Sequence, residues 1–245
     1  MSKIYFASDF HLGVPNHKSS LEREKKIVRW LNHVGKDATE IILLGDVFDF
    51  WFEYKHVVPK GYTRLLGTLA HLADSGIKIT LFKGNHDMWM FGYLKEEIGV
   101  EIIDNEKIVT WGGKRFFLHH GDGLGPGDRG YKLIKNIFRN KWCQRLFAFL
   151  HPFLGMGLAQ YLSTKSRLAN DINKQPFDEP NEWLLQYCKE KIETEHFDYL
   201  IFGHRHLPLD IQLNENSRYV NLGEWVNNFT YAEFDGEQLT LKKFE

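Results

Sequence analysis

Leu81-Phe82-Lys83-Gly84-Asn85-His86-Asp87 decides how the rest of this chain is read. A short apolar run stops at a glycine, then presents an amide, an imidazole and a carboxylate in succession. A buried strand that ends in this way delivers polar groups to the rim of a sheet. Similar endings recur at Ser8-Asp9-Phe10-His11, Gly45-Asp46, His120-Gly121-Asp122 and Gly203-His204-Arg205-His206. Each alone is weak: an Asp-x-His pair is commoner as a surface or capping feature, and Gly-Asp after a strand is commoner as a turn. The signal is joint. All five sets follow predicted strands, and active groups gather at the carboxyl ends of such strands.

Working outward, residues 3–8, 41–44 and 77–82 read as buried strands. Helices over 19–34, capped by Ser19 or Ser20, and over 62–74 lie between them. Strand, helix, strand, helix, strand is the pattern of a parallel sheet flanked by helices. A helix over 89–98 follows, then short strands at 100–103, 107–111 and 115–120, with Gly112-Gly113 as a hairpin turn. A helix over 181–194 and a strand at 199–202 come next. The tail alternates through 210–213, 219–222, 230–234 and 238–244. The expected fold is α/β, a four-layer α/β/β/α sandwich of two mixed sheets. Residues 1–245 read as one domain carrying a helical insertion over 123–174.

An apolar fraction of 43% with 15% aromatics supports a substantial core. A formal net charge of -1 argues against a uniformly basic nucleic-acid binder. Cys143 and Cys188 are the only cysteines, far apart and in no metal-type spacing, so a reducing cytosol is expected rather than a disulfide framework. No signal peptide is read at the N-terminus, and no apolar run reaches the roughly 18–20 residues that a spanning helix needs.

The plausible ligands are Asp9, His11, Asp46, Asn85, His120, His204 and His206. Two metals sharing one carboxylate need about seven such groups, leaving room for a bridging hydroxide and substrate oxygens. Oxygen and imidazole donors without thiolate suit Mn²⁺, Fe²⁺ or Zn²⁺ better than Ca²⁺ or a structural zinc. Two such ions about 3.5–4 Å apart clamp an in-line displacement at phosphorus.

With these blocks in this order, the chain resembles the calcineurin-like metallophosphoesterase superfamily over nearly its whole length. Its pattern is Asp-x-His, Gly-Asp, Gly-Asn-His-Asp or -Glu, a His before Gly, and Gly-His-x-His. The resemblance implies Asp9, His11 and His206 at one metal, Asn85, His120 and His204 at the other, and Asp46 as the bridge. Strand alternation favours His120 over His119, since Phe116, Leu118 and His120 share one face. The resemblance also implies His86 as the acid that protonates the leaving group, with Asp49 holding the ring through its carboxylate. A carboxylate on one ring nitrogen would fix the tautomer and favour the imidazolium.

From residue 129 to 170 there is no Asp or Glu, while Arg129, Lys132, Lys135, Arg139, Lys141, Arg145, Lys165 and Arg167 are basic. Leu133, Ile134, Ile137, Phe138, Trp142, Leu146, Phe147, Phe149 and Leu150 fall at helical spacing, which predicts one basic amphipathic helix followed by a greasy run. Such a segment reads as a membrane-surface or lipid-facing element. The plainer alternative is a helical cap packed on the domain. Nucleic acid ranks behind both, because the aromatics are mixed with aliphatics rather than spaced as stacking platforms.

The insertion, with Asp46-Val47-Phe48-Asp49-Phe50-Trp51 and His120-Gly121-Asp122-Gly123-Leu124, resembles the UDP-2,3-diacylglucosamine diphosphatases of lipid A biosynthesis. That family's members are peripheral membrane proteins. They hydrolyse the pyrophosphate to UMP and 2,3-diacylglucosamine 1-phosphate (lipid X), and the insertion is a lid over the acyl chains. The resemblance implies substrate contacts at Asp128, Tyr131, Ser166, Arg167, Asn170 and Lys174. It further implies two divalent metals, Mn²⁺ first and Fe²⁺ or Zn²⁺ as alternatives, and a cytoplasmic location on the inner face of the membrane. No protein partner is inferred. His86 and Asp49 depart from the family's best-known branch, which has Arg and Glu there. Two readings follow: a divergent branch with the same reaction, or a phosphodiesterase, nucleotide pyrophosphatase or nuclease that kept the lid.

Overall fold

The computed structural model describes residues 3–125, 129–172 and 177–245. Three alternating apolar runs build the first sheet: β1 (Lys3–Ala7), β2 (Ala38–Leu43) and β3 (Lys78–Phe82) pair in parallel. The crossovers are α1 (His17–Val34) and α2 (Thr63–Asp74). After α3 (Tyr93–Ile98), β4 (Glu101–Ile103) extends the parallel set. The second sheet starts with β5 (Lys107–Trp111) and β6 (Lys114–Leu118), a hairpin turned by Gly112 and Gly113 at φ 55° and 75°. Two successive positive φ values are what a two-residue primed turn requires.

Three helices follow β6: α4 (Arg129–Arg139), α5 (Lys141–Ala148) and α6 (Pro152–Ile172). Then come α7 (Trp183–Thr194), β7 (Tyr199–Phe202), β8 (Pro208–Asn214), β9 (Ser217–Leu222), β10 (Thr230–Phe234) and β11 (Leu239–Lys243). Both sheets are mixed, with strand orders β11-β10-β1-β2-β3-β4 and β5-β6-β7-β9-β8.

The side-chain period of two sorts the core into layers. Ile4, Phe6, Ile42 and Phe82 meet Phe116, Leu118, Ile201 and Val220 between the sheets. Tyr5, Ala7, Ile41, Leu43 and Leu81 face the other way, against Ile27, Trp30 and Leu31 of α1 and Leu65 and Leu69 of α2. On the far side, Phe117, Leu200 and Phe202 pack on Leu184, Leu185 and Cys188 of α7. Helix, sheet, sheet, helix is the expected four-layer arrangement. Burial of each large side chain contributes about 1.5–3 kcal/mol.

Three local expectations are corrected. Neither Ser19 nor Ser20 caps α1; Asn16 does, its Oδ1 accepting from the Ser19 N–H at 3.0 Å, while the Ser20 hydroxyl accepts from Gly13 N–H. The helix predicted over 89–98 starts only at Tyr93, because Glu53 Oε2 gathers the Phe91, Gly92 and Tyr93 N–H groups into a turn. The predicted basic helix breaks at Asn140, whose side chain accepts from Trp142 and Cys143 N–H and so starts α5. A local cap wins over continuous periodicity there.

The α4–α6 segment is tied to the sandwich at its inner side. Phe147 packs against Phe50, Phe52, Tyr54 and Trp89. Trp89 Nε1 donates to Phe138 O at 2.7 Å, and Lys135 pairs with buried Asp122 at 2.6 Å. Its outer side is greasy: Trp142, Phe149 and Phe153 are 71%, 88% and 80% exposed. Among the described residues, no helix is long and apolar enough to cross a membrane.

Candidate metal centre

The parallel strands β1, β2 and β3 of one sheet and β6 and β7 of the other point their carboxyl ends to one place. The backbone ladder continues past the strand ends: Asp9 N–H donates to Gly45 O, His11 N–H to Asp46 O, and Gly203 N–H to His120 O, all at 2.9–3.0 Å. Within this frame Asp9, His11, Asp46, His204 and His206 all have φ between 45° and 66°. That left-handed region costs non-glycine residues roughly 1–3 kcal/mol each and persists where surrounding structure over-determines it. Gly84 is required by close approach: a Cβ there would collide with the Asp46 carboxylate and backbone N.

The side chains form two clusters that share a member. In the first, His11 Nε2 and His206 Nε2 face each other at 3.0 Å, with Asp9 Oδ1 3.2 Å from His206 Nε2. In the second, Asn85 Oδ1 lies 3.1 Å from His120 Nε2 and 2.8 Å from His204 Nδ1. Asp46 Oδ2 stands between them, 3.8 Å from His11 Nε2 and 3.4 Å from His120 Nε2. The donor atoms of Asp9, His11, Asp46 and His206 lie within 4.8 Å of one another, as do those of Asp46, His120 and His204.

Asp9, Asp46 and His120 are each aimed by a second bond. Asp9 Oδ2 accepts from His204 N–H at 3.0 Å, leaving the buried Oδ1, which makes no hydrogen bond, for the cluster. Asp46 Oδ1 accepts from His86 N–H at 2.9 Å, which turns Oδ2 inward. His120 Nδ1–H donates to Leu44 O at 2.6 Å, which presents Nε2. Facing imidazole nitrogens, a buried carboxylate oxygen without a proton donor and converging amide oxygen form a donor set that fits divalent cations.

The electrostatics agree. Although burial opposes it, His11 and His206 hold the Asp9 carboxyl below its ordinary range. Asp46 is likewise held low against burial by the His120 and His86 charges. His204 is pushed down to about 4 by burial and the neighbouring His120, which suits a neutral ligand. His119 points away, its Nδ1 accepting from Gly121 N–H at 2.8 Å, and burial pushes it down to about 3.

His86 and Asp49 are brought together, but not in the expected manner. Among the described residues, the nearest partner of His86 Nδ1 is the Asp49 backbone carbonyl at 3.1 Å; the carboxylate Oδ1 lies at 3.6 Å. The same Oδ1 is 3.6 Å from His11 Nδ1. The carbonyl therefore sets the tautomer. Of the expected substrate contacts, Asp128 and Lys174 lie outside the described residues. Tyr131 falls on α4 and Ser166, Arg167 and Asn170 on α6, with side chains outside the described set.

Three residues of the site were missed from sequence. Asp87, fully buried, accepts from Gly84 and Asp46 N–H with one oxygen and from Val47 and Phe48 N–H with the other, clasping the β2 and β3 loops. Its position three residues after Gly84 in the decisive stretch was the available signal. Arg23 Nη2 donates to His11 O and Val14 O, fixing the Asp9–His11 turn. A charged residue on the apolar stripe of α1 was its signal. Ser163 on α6 donates to Asp49 Oδ2 at 2.5 Å, and nothing local announces it.

The calcineurin-like phosphoesterase family model matches residues 2–208. A UDP-2,3-diacylglucosamine hydrolase of Porphyromonas gingivalis is 39% identical, over 100% of this chain and 98% of that protein. One of Haemophilus influenzae is 26% identical, over 94% of this chain and 93% of that protein. Among solved structures, a phosphoesterase from E. coli is 17% identical with a TM-score of 0.48, covering 98% of this chain and 92% of that one. That last likeness is too distant to bear on fold or activity. Members of the family use divalent metals, and this chain carries clusters able to hold them. It is a hydrolase that belongs to the calcineurin-like phosphoesterase family.

Proposed function

We propose that the chain hydrolyses the pyrophosphate of UDP-2,3-diacylglucosamine to UMP and 2,3-diacylglucosamine 1-phosphate. The observation that carries the reading is the two-cluster site in a chain matching, from end to end, a relative of that name. Residues 1–245 act as one domain, with 123–174 as a lid. Asp9, His11 and His206 hold one ion, Asn85, His120 and His204 the other, and Asp46 is shared. Two divalent ions, Mn²⁺ in the first instance, supply positive charge to the phosphoryl oxygens and acidify the attacking water.

The chain's own residues do the rest. Water adds to the uridylyl phosphorus in line. The bond from that phosphorus to the pyrophosphate bridging oxygen breaks, and its electron pair leaves on the sugar 1-phosphate. His86, held through Nδ1 on the Asp49 carbonyl, gives a proton from Nε2 to the departing oxygen. A phosphate monoester with a second pKa near 6 needs little such help, so His86 matters more for alkoxide leaving groups.

The lid supplies the lipid side. Its exposed Trp142, Phe149 and Phe153, beside the cations Lys141 and Arg145, support contact with acyl chains and the cytoplasmic membrane surface. Asp128, Tyr131, Ser166, Arg167, Asn170 and Lys174 are assigned to the nucleotide and sugar. The test is Mn²⁺-dependent release of UMP from UDP-2,3-diacylglucosamine, abolished by chelation and restored by metal. Inactivity there, with hydrolysis of simple phosphodiesters, overturns the substrate and leaves the chemistry.

A further inference from the structure

The insertion reaches into the chemical site. Ser163 lies within α6, yet its hydroxyl donates to Asp49 Oδ2 at 2.5 Å and lies 3.4 Å from His86 Nδ1. Asp49 is 4% exposed, and its other oxygen is 3.6 Å from both His86 Nδ1 and His11 Nδ1. The His86 and His11 rings stand nearly perpendicular, 5.0 Å apart. A hydroxyl from α6 therefore binds the carboxylate that faces both rings.

Two further contacts hold the same loops from the same side. Trp89, three residues after His86, donates to Phe138 O of α4. Phe50, next to Asp49, packs against Phe147 of α5, and the 50–54 and 88–91 loops are joined by a bridge between Phe52 and Trp89. The lid thus clamps both chain segments from which His86 and Asp49 project. At 2.5 Å the Ser163 bond to Asp49 Oδ2 is shorter than the 2.7 Å Trp89 bond, and it reaches the side chain beside His86 directly.

We propose that Ser163 is a positioning residue. Its hydroxyl fixes Asp49, the residue whose backbone carbonyl holds His86 Nδ1, and itself stands 3.4 Å from that nitrogen, so that the lid contributes to the chemistry as well as to substrate binding. This rests on the reading of His86 as leaving-group acid. An enzyme in which the lid and the acid meet at one residue, Asp49, reaches its active geometry only with the lid seated.

The test is a double-mutant cycle with metal-loaded enzyme, using an alkyl phosphodiester and a p-nitrophenyl phosphodiester. On the alkyl ester, Ser163→Ala is expected to lose about tenfold in kcat, the scale of one hydrogen bond to a charged group, with KM nearly unchanged. In an His86→Ala background the same substitution is expected to cost nothing further, and Ser163→Thr, which keeps the hydroxyl, to restore most of the rate. A full additional loss in the His86→Ala background, or no loss in the wild-type one, overturns the proposal while leaving the acid role standing. Equal losses for His86→Ala on the two esters overturn the acid role, and this proposal with it.

Discussion

The candidate metal centre and the α4–α6 segment, the proposed lid, are built on opposite principles. At the centre Asp9, His11, Asp46 and His120 are buried, second bonds aim three of these four, and five residues are held at positive φ. In the lid, large apolar side chains stand in solvent and a handful of inner contacts tie three helices to the sandwich. The difference teaches where rigidity is needed. Charge at phosphorus must be met by donors fixed to a fraction of an ångström, because preorganised groups do not reorganise during reaction. Acyl chains ask only for adaptable apolar area, and that surface tolerates looseness.

The sharpest way to break this contrast is Asp46→Asn. Removing the charge shared by both clusters should lower kcat/KM by roughly a thousandfold or more, the scale of about 4 kcal/mol of lost stabilisation. Isothermal titration with Mn²⁺ should show the loss of at least one site. An enzyme that keeps both metals and most of its rate would show that Asp46 is not the shared group.

The corresponding strike at the lid is Phe149→Ser with Phe153→Ser. Each phenylalanine buried in lipid is worth about 1.5–3 kcal/mol, so the pair should weaken co-sedimentation with anionic vesicles by at least about a hundredfold. Hydrolysis of a soluble p-nitrophenyl phosphodiester should stay close to wild type, since both rings are exposed on the outer side of the segment. Equal losses in both assays would mean that the lid is structural and the contrast false.

A smaller effect concerns His119, the buried neighbour that faces away from the centre. Burial takes its pKa from 6.5 down to about 3 in the folded chain. The unfolded chain therefore binds its proton first. Stability contributed by neutral His119 is complete above pH 6.5 and is lost as pH falls toward 3. His119→Asn, which still offers an acceptor to Gly121 N–H, should show a shallower fall of Tm across that window. Parallel Tm curves would assign the acid sensitivity elsewhere.

Much of the centre was legible because its donors sit two to four residues past strand ends, so local pattern and spatial convergence coincide. Alternation supported the choice of His120 over His119 that the family pattern implied, since the side chains at 116 and 118 share the face between the sheets. Two kinds of feature escaped. Competition between local preferences hid the break at Asn140, where a side-chain cap interrupts a periodicity that reads as continuous. Long-range ties hid the rest: Ser163 and Asp49 are 114 residues apart, and no periodicity links them. Asp49 was the intermediate case. Its spacing from Asp46 brought it to His86, yet the carbonyl rather than the carboxylate lies nearest, a choice that only the turn's geometry makes.

The most direct measurement compares Mn²⁺-dependent UMP release from UDP-2,3-diacylglucosamine and from unacylated UDP-glucosamine. A rigid centre that serves a lipid-seeking lid predicts that kcat/KM favours the acylated substrate by at least about fiftyfold, what three buried methylenes supply at about 0.8 kcal/mol each. Equal rates on the two, or none on the acylated one, would contradict it.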